Sequence, residues 1–293
     1  ASLILPTFTF LMESTQPMVF SSFGHHTLDF LARLARQPAV WVVVASTQGS
    51  APREAGAWMA VFGDAVVGTI GGGHVEYQAI ARARALLAAP SPAAQPLAAV
   101  RFALGPALGQ CCGGVMHLRF EPVSACDVPA LAKRLDSNLT PVALFGGGHV
   151  GQALVRVLAP LPFHITWIDS RDGVFPLDVP PRVACEQSEP VQAAVSGLVP
   201  DSRVLIMSFS HAEDLDVLAA CLKRQREKAD LPYIGLIGSQ TKWATFQHRL
   251  QARGFTDAEL AHVTCPIGVP GIKGKEPQVI AVAVAAQLLQ TLA

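Results

Sequence analysis

The chain is poor in charge. Lysine and arginine together number 22, aspartate and glutamate 22, and charged residues make up 15% of 293 positions, so the formal net charge is zero. With the two signs interspersed, no basic stripe offers itself to nucleic acid or to an anionic membrane surface. Long apolar runs are also missing, and none here would span a bilayer. The six cysteines form no CxxC pair and show no zinc-type spacing. A disulfide framework is not expected in an α/β sequence of this cytoplasmic character. Cys126, Cys185 and Cys221 lie in ordinary apolar or amphipathic contexts and read as buried small hydrophobes. The first sixteen residues, ASLILPTFTFLMESTQ, lack the basic region of a signal peptide. They are expected to be a disordered arm, a vector remnant or a misread start, with Met18 as a native start. What the chain does have is apolar residues, 51% of the total, enough for a sizeable core, and a length that suits two domains.

The stretch 142–169, VALFGGGHVGQALVRVLAPLPFHITWID, orders the rest. A short apolar run over 142–145 predicts a buried parallel strand. Gly146, Gly148 and Gly151 follow in the spacing G-x-G-x-x-G, then a helix over 149–158 and a strand over 164–168 that ends at Asp169. Gly146 allows a tight turn, Gly148 lets a phosphate approach the backbone, and Gly151 lets helix and strand pack closely. The helix N-terminus offers amides and partial positive charge to an anion, and Asp169 lies where a ribose hydroxyl would be met. A Rossmann-type βαβ unit follows from this order of parts. Whether it holds a dinucleotide is a separate question.

Before this unit, the periodicity predicts a helix over 27–36 and strands over 40–45, 58–62, 66–70, 100–104 and 115–122. A second glycine-rich strand-to-helix turn, Gly71-Gly72-Gly73-His74-Val75-Glu76, opens a helix to residue 87. A helix over 127–138 then leads to a domain boundary near 137–140. After the unit, strands are expected at 182–185, 203–208 and 233–237, and helices at 190–196, 211–223, 241–253 and 277–292. This alternation predicts a doubly wound parallel sheet that binds ligands at the carboxyl ends of its strands. That edge would collect residues 146–151, Asp169, residues 208–211 and Gly238-Ser239.

The most unusual chemistry is GQCCGG at 109–114. Adjacent cysteines cannot both face one way on a regular strand, and the flanking glycines leave the backbone able to bend. A soft sulfur there suits a soft metal or an exchangeable sulfur ligand; a pair of buried hydrophobes capping a strand is the plainer alternative. Arg53, after Pro52, either clamps a phosphate or carboxylate or is a solvated turn residue. Glu76 beside the three glycines either acts with His74 as a ligand or caps the helix. Lys242 at a helix start either meets an anion or, the plainer alternative, is a solvated surface lysine.

Four segments then act as a set: residues 49–53 with Gly56-Ala57-Trp58-Met59, residues 68–76 (GTIGGGHVE), residues 108–114 (LGQCCGG), and the Rossmann unit with Gly238-Ser239 and residues 265–268. Together they resemble the xanthine dehydrogenase accessory proteins that handle the molybdenum cofactor. The resemblance spans residues 20–293. It implies an arm over 1–20, an accessory-protein domain with the CCGG loop over 21–138, and a Rossmann-type domain over 139–293. It further implies a cytoplasmic chaperone rather than an enzyme. Such a protein binds molybdopterin, protects it while its terminal sulfur ligand is installed, and delivers it to xanthine dehydrogenase. A cysteine desulfurase and self-association, as a dimer, are the other implied partners. The family's cofactor-binding and metal-contacting cysteine falls on Cys112, with Cys111 as the alternative, beside Gly113 and Gly114. Gly71, Gly72 and Gly73, with Arg53, are implied as walls of that site. Gly146, Gly148, Gly151 and Asp169 could cradle a phosphate of the cofactor or of a nucleotide.

Two other readings compete. An NAD(P)-dependent oxidoreductase would use the Rossmann unit, but neither His149 nor His211 has an evident carboxylate partner by spacing. Alternatively, the Rossmann half serves only as a dimerisation scaffold.

Overall fold

The structure is a computed structural model that describes residues 23–89, 98–104, 113–136 and 139–292. The expected arm over 1–20, Cys111, Cys112 and residues 137–138 lie outside the described residues.

Helix α1 (Phe23–Leu34) leads into strand β1 (Ala39–Gln48), whose first six residues, AVWVVV, are all buried. Strands β2 (Trp58–Val61) and β3 (Val66–Gly68), helix α2 (Gly73–Leu87), and strands β4 (Val100–Ala103) and β5 (Val115–Val123) follow. A 3-10 turn at Ala125–Asp127 then opens helix α3 (Val128–Asp136). The five strands form an antiparallel sheet in the order β3-β2-β1-β5-β4. Because side chains alternate across a strand, β1 feeds two cores. Val40, Val42 and Val44 share a cluster with Val75, Ala79 and Ala83 of α2. Trp41 and Val43 point the other way, to a cluster with Phe30 and Leu34 of α1 and Leu131 of α3. β1 outruns its predicted end because its ladder with β5 continues to Gln48 opposite Val115, past an irregularity between Val44 and Ser46. These last residues are mostly exposed, so pairing rather than apolar patterning makes them a strand.

The rest of the chain is the doubly wound α/β unit the sequence predicts. Its elements are β6 (Thr140–Phe145), α4 (His149–Leu158), β7 (Phe163–Asp169), β8 (Val183–Gln187), β9 (Arg203–Ile206), α5 (His211–Lys228), β10 (Tyr233–Leu236), α6 (Gln240–Ala252), α7 (Asp257–Leu260), β11 (Val263–Thr264) and α8 (Pro277–Gln290). A 3-10 stretch, Val191–Gly197, stands where a helix is expected after β8. All six strands run parallel in the order β11-β10-β9-β6-β7-β8. The chain leaves β6 first toward β7 and later toward β9, so the switch point lies at the carboxyl end of β6. Leu154 and Leu158 of α4 pack with Val284 and Leu288 of α8 on one face of the sheet. On the other face α5 and the 3-10 stretch supply Leu218, Leu222 and Val195.

Two of the cysteines are not buried as the sequence suggests. Cys221, on the inner face of α5, is fully buried. Cys185 is exposed because β8 is the outermost strand and only its first residue is covered. Cys126 is exposed because it sits in the surface capping turn that Ser124 and Asp127 close. No helix among the described residues is long and apolar enough to cross a membrane.

Candidate functional site

The motif residues of the first sheet gather at one of its ends. The end of β1, the start of β2, the end of β3 and the start of β5 all lie there, so the loops 49–57 and 69–72 and residues 113–114 are neighbours. Gly49 has φ +71°, and a Cβ on it would come within 3.3 Å of the Gly114 Cα. A side chain on Gly114 would run into the Gln48 and Ser50 carbonyls. Two backbones therefore touch here, and glycine is what permits it. Gly71 closes on the same loop from the other side: with φ +116°, its Cβ would lie 2.6 Å from Pro52 and 3.2 Å from Arg53. Gly113 is exposed with open space around it, and it is the described residue bonded to Cys112.

Glu76 caps. Its Oε2 accepts hydrogen bonds from the Thr69 hydroxyl at 2.5 Å and from the Ile70 and Gly72 amides at 3.0 Å each. The carboxylate thus fills the concavity of amides at the start of α2, which is where an outside anion would otherwise sit. His74 is exposed, with Nε2 at 2.9 Å from the Gln78 amide nitrogen. Arg53 is ion-paired with Glu54 at 3.6 Å.

Gly146, Gly148, Gly151 and Asp169 form a separate group at the carboxyl edge of the parallel sheet. Gly146 has φ +125°, and a Cβ there would strike the Met207 carbonyl; one on Gly151 would strike the Gly146 carbonyl. Turn and helix packing therefore both require glycine. The Trp167 indole donates to the Gly146 carbonyl at 2.9 Å and locks the turn. Gly148 has open space in place of a Cβ, and no side chain caps α4. The approach to that helix end is free of the chain's own side-chain caps, as an anion cradle needs.

Asp169 is 2% exposed, and both its oxygens are engaged. Oδ2 accepts from the Gly147 amide at 2.6 Å, and Arg171 reaches both oxygens with its guanidinium at 2.9 Å. Burial works against the charged carboxylate, but the bonds from Arg171 and Gly147 outweigh it and hold its pKa below the ordinary aspartate value. Arg171 also stacks on exposed Phe209, 4.5 Å from the ring centre.

The same edge carries an arrangement that the sequence misses. Lys242 is no surface lysine. Its side chain is 11% exposed, and Nζ lies 2.6 Å from Asp214 Oδ2 and 2.8 Å from the Ile237 carbonyl. Asp214 in turn accepts from the Ser208 amide at 2.7 Å. Asp214 and Lys242 are 28 residues apart, and only the adjacency of β9 and β10 brings them together. A Cβ on Gly238 would lie 3.5 Å from the Cys265 sulfur, which places that thiol beside the pair. Burial pushes the Cys265 thiol up to about 11, so it stays protonated at neutral pH.

A cavity of about 690 Å³ opens where the two sheets' layers meet. Trp41, Trp58, Arg53 and Arg134 line it from the first part, and Leu139, Leu161 and Arg182 from the second. These last three precede β6, β7 and β8, so the cavity lies at the amino edge of the parallel sheet. The glycine turn is at the other end of β6, about 20 Å away by the rise of a six-residue strand. Of the predicted site residues that are described, Arg53 alone lines the cavity. Gly56, Ala57 and Trp58, and Gly68 and Thr69, belong to the motif segments 56–59 and 68–76, whereas Trp41, Arg134 and Arg182 sit in no local motif.

Family models match two separate stretches of the chain. A model described as the XdhC Rossmann domain matches residues 142–288, and one described as the XdhC and CoxI family matches residues 32–100. An Escherichia coli K12 relative, named only as uncharacterized protein YqeB, is 29% identical over 264 residues. The match takes in 88% of this chain but 45% of that relative, so this chain spans about half its length. A crystal structure from Bacillus halodurans, described as a xanthine dehydrogenase, superposes with a TM-score of 0.73 at 21% identity, over 91% of this chain and 95% of that one. At that identity the likeness establishes a shared fold.

Proposed function

The chain belongs to the XdhC and CoxI family, the xanthine dehydrogenase accessory proteins, and from that premise we propose that it serves the maturation of a xanthine dehydrogenase. In this reading it takes the molybdenum cofactor as cargo, shields it while its terminal sulfur ligand is installed, and hands it on. Xanthine dehydrogenase and a cysteine desulfurase are its partners, and it acts as a dimer. The observation that supports this most is the meeting of residues 49–53, 71–73 and 113–114 at one sheet end. Backbone held that close, with Gly113 open beside it, suits a site that grips mostly through main chain and a single soft thiolate, that of Cys112 or else Cys111. A site with one sulfur ligand also releases a metal more readily than a closed multi-cysteine cage. The uncapped start of α4 at Gly148 offers a second anion position, for a phosphate of the cargo or of a nucleotide.

The oxidoreductase reading fares less well. A dinucleotide would have to draw Asp169 away from Arg171 and Gly147 before its ribose could be held there. The test is retention of cargo. Purified protein is mixed with cofactor released from a molybdoenzyme and passed through gel filtration, and molybdenum and pterin are measured in the protein peak. Cys112→Ala is expected to lower retention with the fold intact. Equal retention by the wild type, Cys112→Ala and Cys111→Ala rejects the thiol role, and a thermal shift with NAD(H) or NADP(H) but not with cofactor rejects the chaperone reading.

A further inference from the structure

We propose that the cavity between the two sheets' layers is a binding site for a flat, fused heteroaromatic ring that carries a phosphate. Its chemistry selects that class. Trp58, partly exposed, gives it an indole wall against which a flat ring can lie, and the buried Trp41 braces that wall edge-on, with ring centres 6.3 Å apart and planes at 72°. The charged lining is three arginines, Arg53, Arg134 and Arg182, against one glutamate, Glu54. Guanidinium forks match phosphate oxygens, and water-poor surroundings strengthen such pairs. Each arginine has an acidic neighbour, Glu54 at 3.6 Å from Arg53, Glu121 at 3.2 Å from Arg134 and Asp136 at 3.5 Å from Arg182, and Glu54 and Asp136 are themselves exposed to competing water. Arg134 already stacks over Trp41, 4.4 Å from the ring centre, so cation and aromatic wall form one surface. The Trp41 indole N–H is buried without a protein partner, a donor left for an acceptor that a small shift of the ring would reach. About 690 Å³ lies within the usual span of small-molecule sites and accommodates a two- or three-ring ligand.

Position adds a consequence. The loop 49–57 faces the glycine cluster with Gly49 and lines the cavity with Arg53, Glu54 and Trp58's neighbours. A ligand in the cavity is therefore one loop away from Gly114. Arg134 belongs to the first sheet's layer and Arg182 to the second, so a phosphate held by both ties the layers together. Ligand loss then goes with their separation, a means of release. This assignment of the pterin end of the cargo rests on the chaperone reading. The shared chemistry of ring and phosphate also admits a purine nucleotide.

The experiment uses the full chain and its tryptophan fluorescence, with three probes: molybdopterin released from a purified molybdoenzyme, GMP, and inorganic phosphate. The variants are Arg134→Ala/Arg182→Ala and, should that pair fail to fold by circular dichroism, Arg182→Gln alone. The expected result is quenching by molybdopterin in the wild type and a loss of affinity of about tenfold for each arginine removed. Tight molybdopterin binding that both variants retain overturns the cavity assignment and leaves the chaperone reading standing. Arginine-dependent binding of GMP with none of molybdopterin upholds the cavity and rejects the chaperone reading. Binding of inorganic phosphate alone, or of no probe, overturns the assignment.

Discussion

The same five residues, Gly-Gly-Gly-His-Val, occur at 71–75 and at 146–150, each between a strand and a helix. They fold differently. At the first site all three glycines have positive φ, +116°, +73° and +68°, and α2 starts on the third. At the second only Gly146 does, and α4 starts one residue later, on the histidine. The sixth residue separates them. Glu76 turns back and satisfies the Ile70 and Gly72 amides, so the first turn carries its own anion. Gly151 has no side chain, lets α4 press onto the Gly146 carbonyl, and leaves the helix end uncapped. A glycine triplet thus specifies a strand-to-helix turn and not its occupant. The carboxylate of the second turn, Asp169, takes the Gly147 amide from behind and leaves the start of α4 without a side-chain cap.

The largest effect should come from the sixth residue of the second turn. Gly151→Ala drives a Cβ into the Gly146 carbonyl, with Trp167 Nε1 3.4 Å from it. The helix must lift off the sheet, at about 3–5 kcal/mol, a size expected of core overpacking combined with a broken turn. Gly148→Ala, with open space and φ −73°, is the control and should stay within about 1 kcal/mol. Thermal unfolding of the two variants checks the pair; similar melting temperatures would mean that the helix does not rest on Gly146. The next effect is smaller. Glu76→Gln keeps one acceptor oxygen but removes the charge from three hydrogen bonds, at about 1–2 kcal/mol. If the first turn is closed by this carboxylate, amide exchange at Ile70 and Gly72 should quicken in the variant. Unchanged exchange would show that the glycines hold the turn unaided.

Each turn could be read in the sequence as a turn, because glycine spacing between an apolar run and a helical period is a local signal. The parallel, doubly wound character of the second sheet was equally legible from the alternation of elements. Pairing was not. Nothing in Ser46–Gln48 marks a strand until β5 lies beside it, and β11 has two residues, too few for any period. Charge partners were hidden for the same reason. Lys242 looks solvated until β9 and β10 bring Asp214 to it. The cavity was least visible of all. Trp41 reads as one more core residue of β1, Arg134 as one residue of the helix expected over 127–138 and Arg182 as the start of a short strand, and only the meeting of two layers makes them one surface. Glycine motifs survive in a linear reading since backbone contact constrains each position alone. A side-chain cluster drawn from four segments constrains no segment by itself.

The smallest effect concerns acid, and it separates the two turns by the way each is pinned. Asp169 holds the second turn from behind: its Oδ2 takes the Gly147 amide while Arg171 covers both oxygens. Its folded pKa lies below the ordinary 3.8, burial being outweighed by these bonds. A group lowered in this way stabilises fully above its unfolded pKa, and the contribution fades as pH falls through the folded value. Stability at neutral pH is therefore untouched by titration of this group, and its share disappears only below about 3.8. Asp169→Asn should be less stable than the wild type at pH 7, with the gap closing below pH 4, in urea unfolding followed at both values. The effect is modest because Trp167 still anchors the Gly146 carbonyl when the aspartate is neutral. A gap that stayed constant down to pH 2 would mean that the aspartate acts by shape, and the contrast with the carboxylate of the first turn would then lie in position alone.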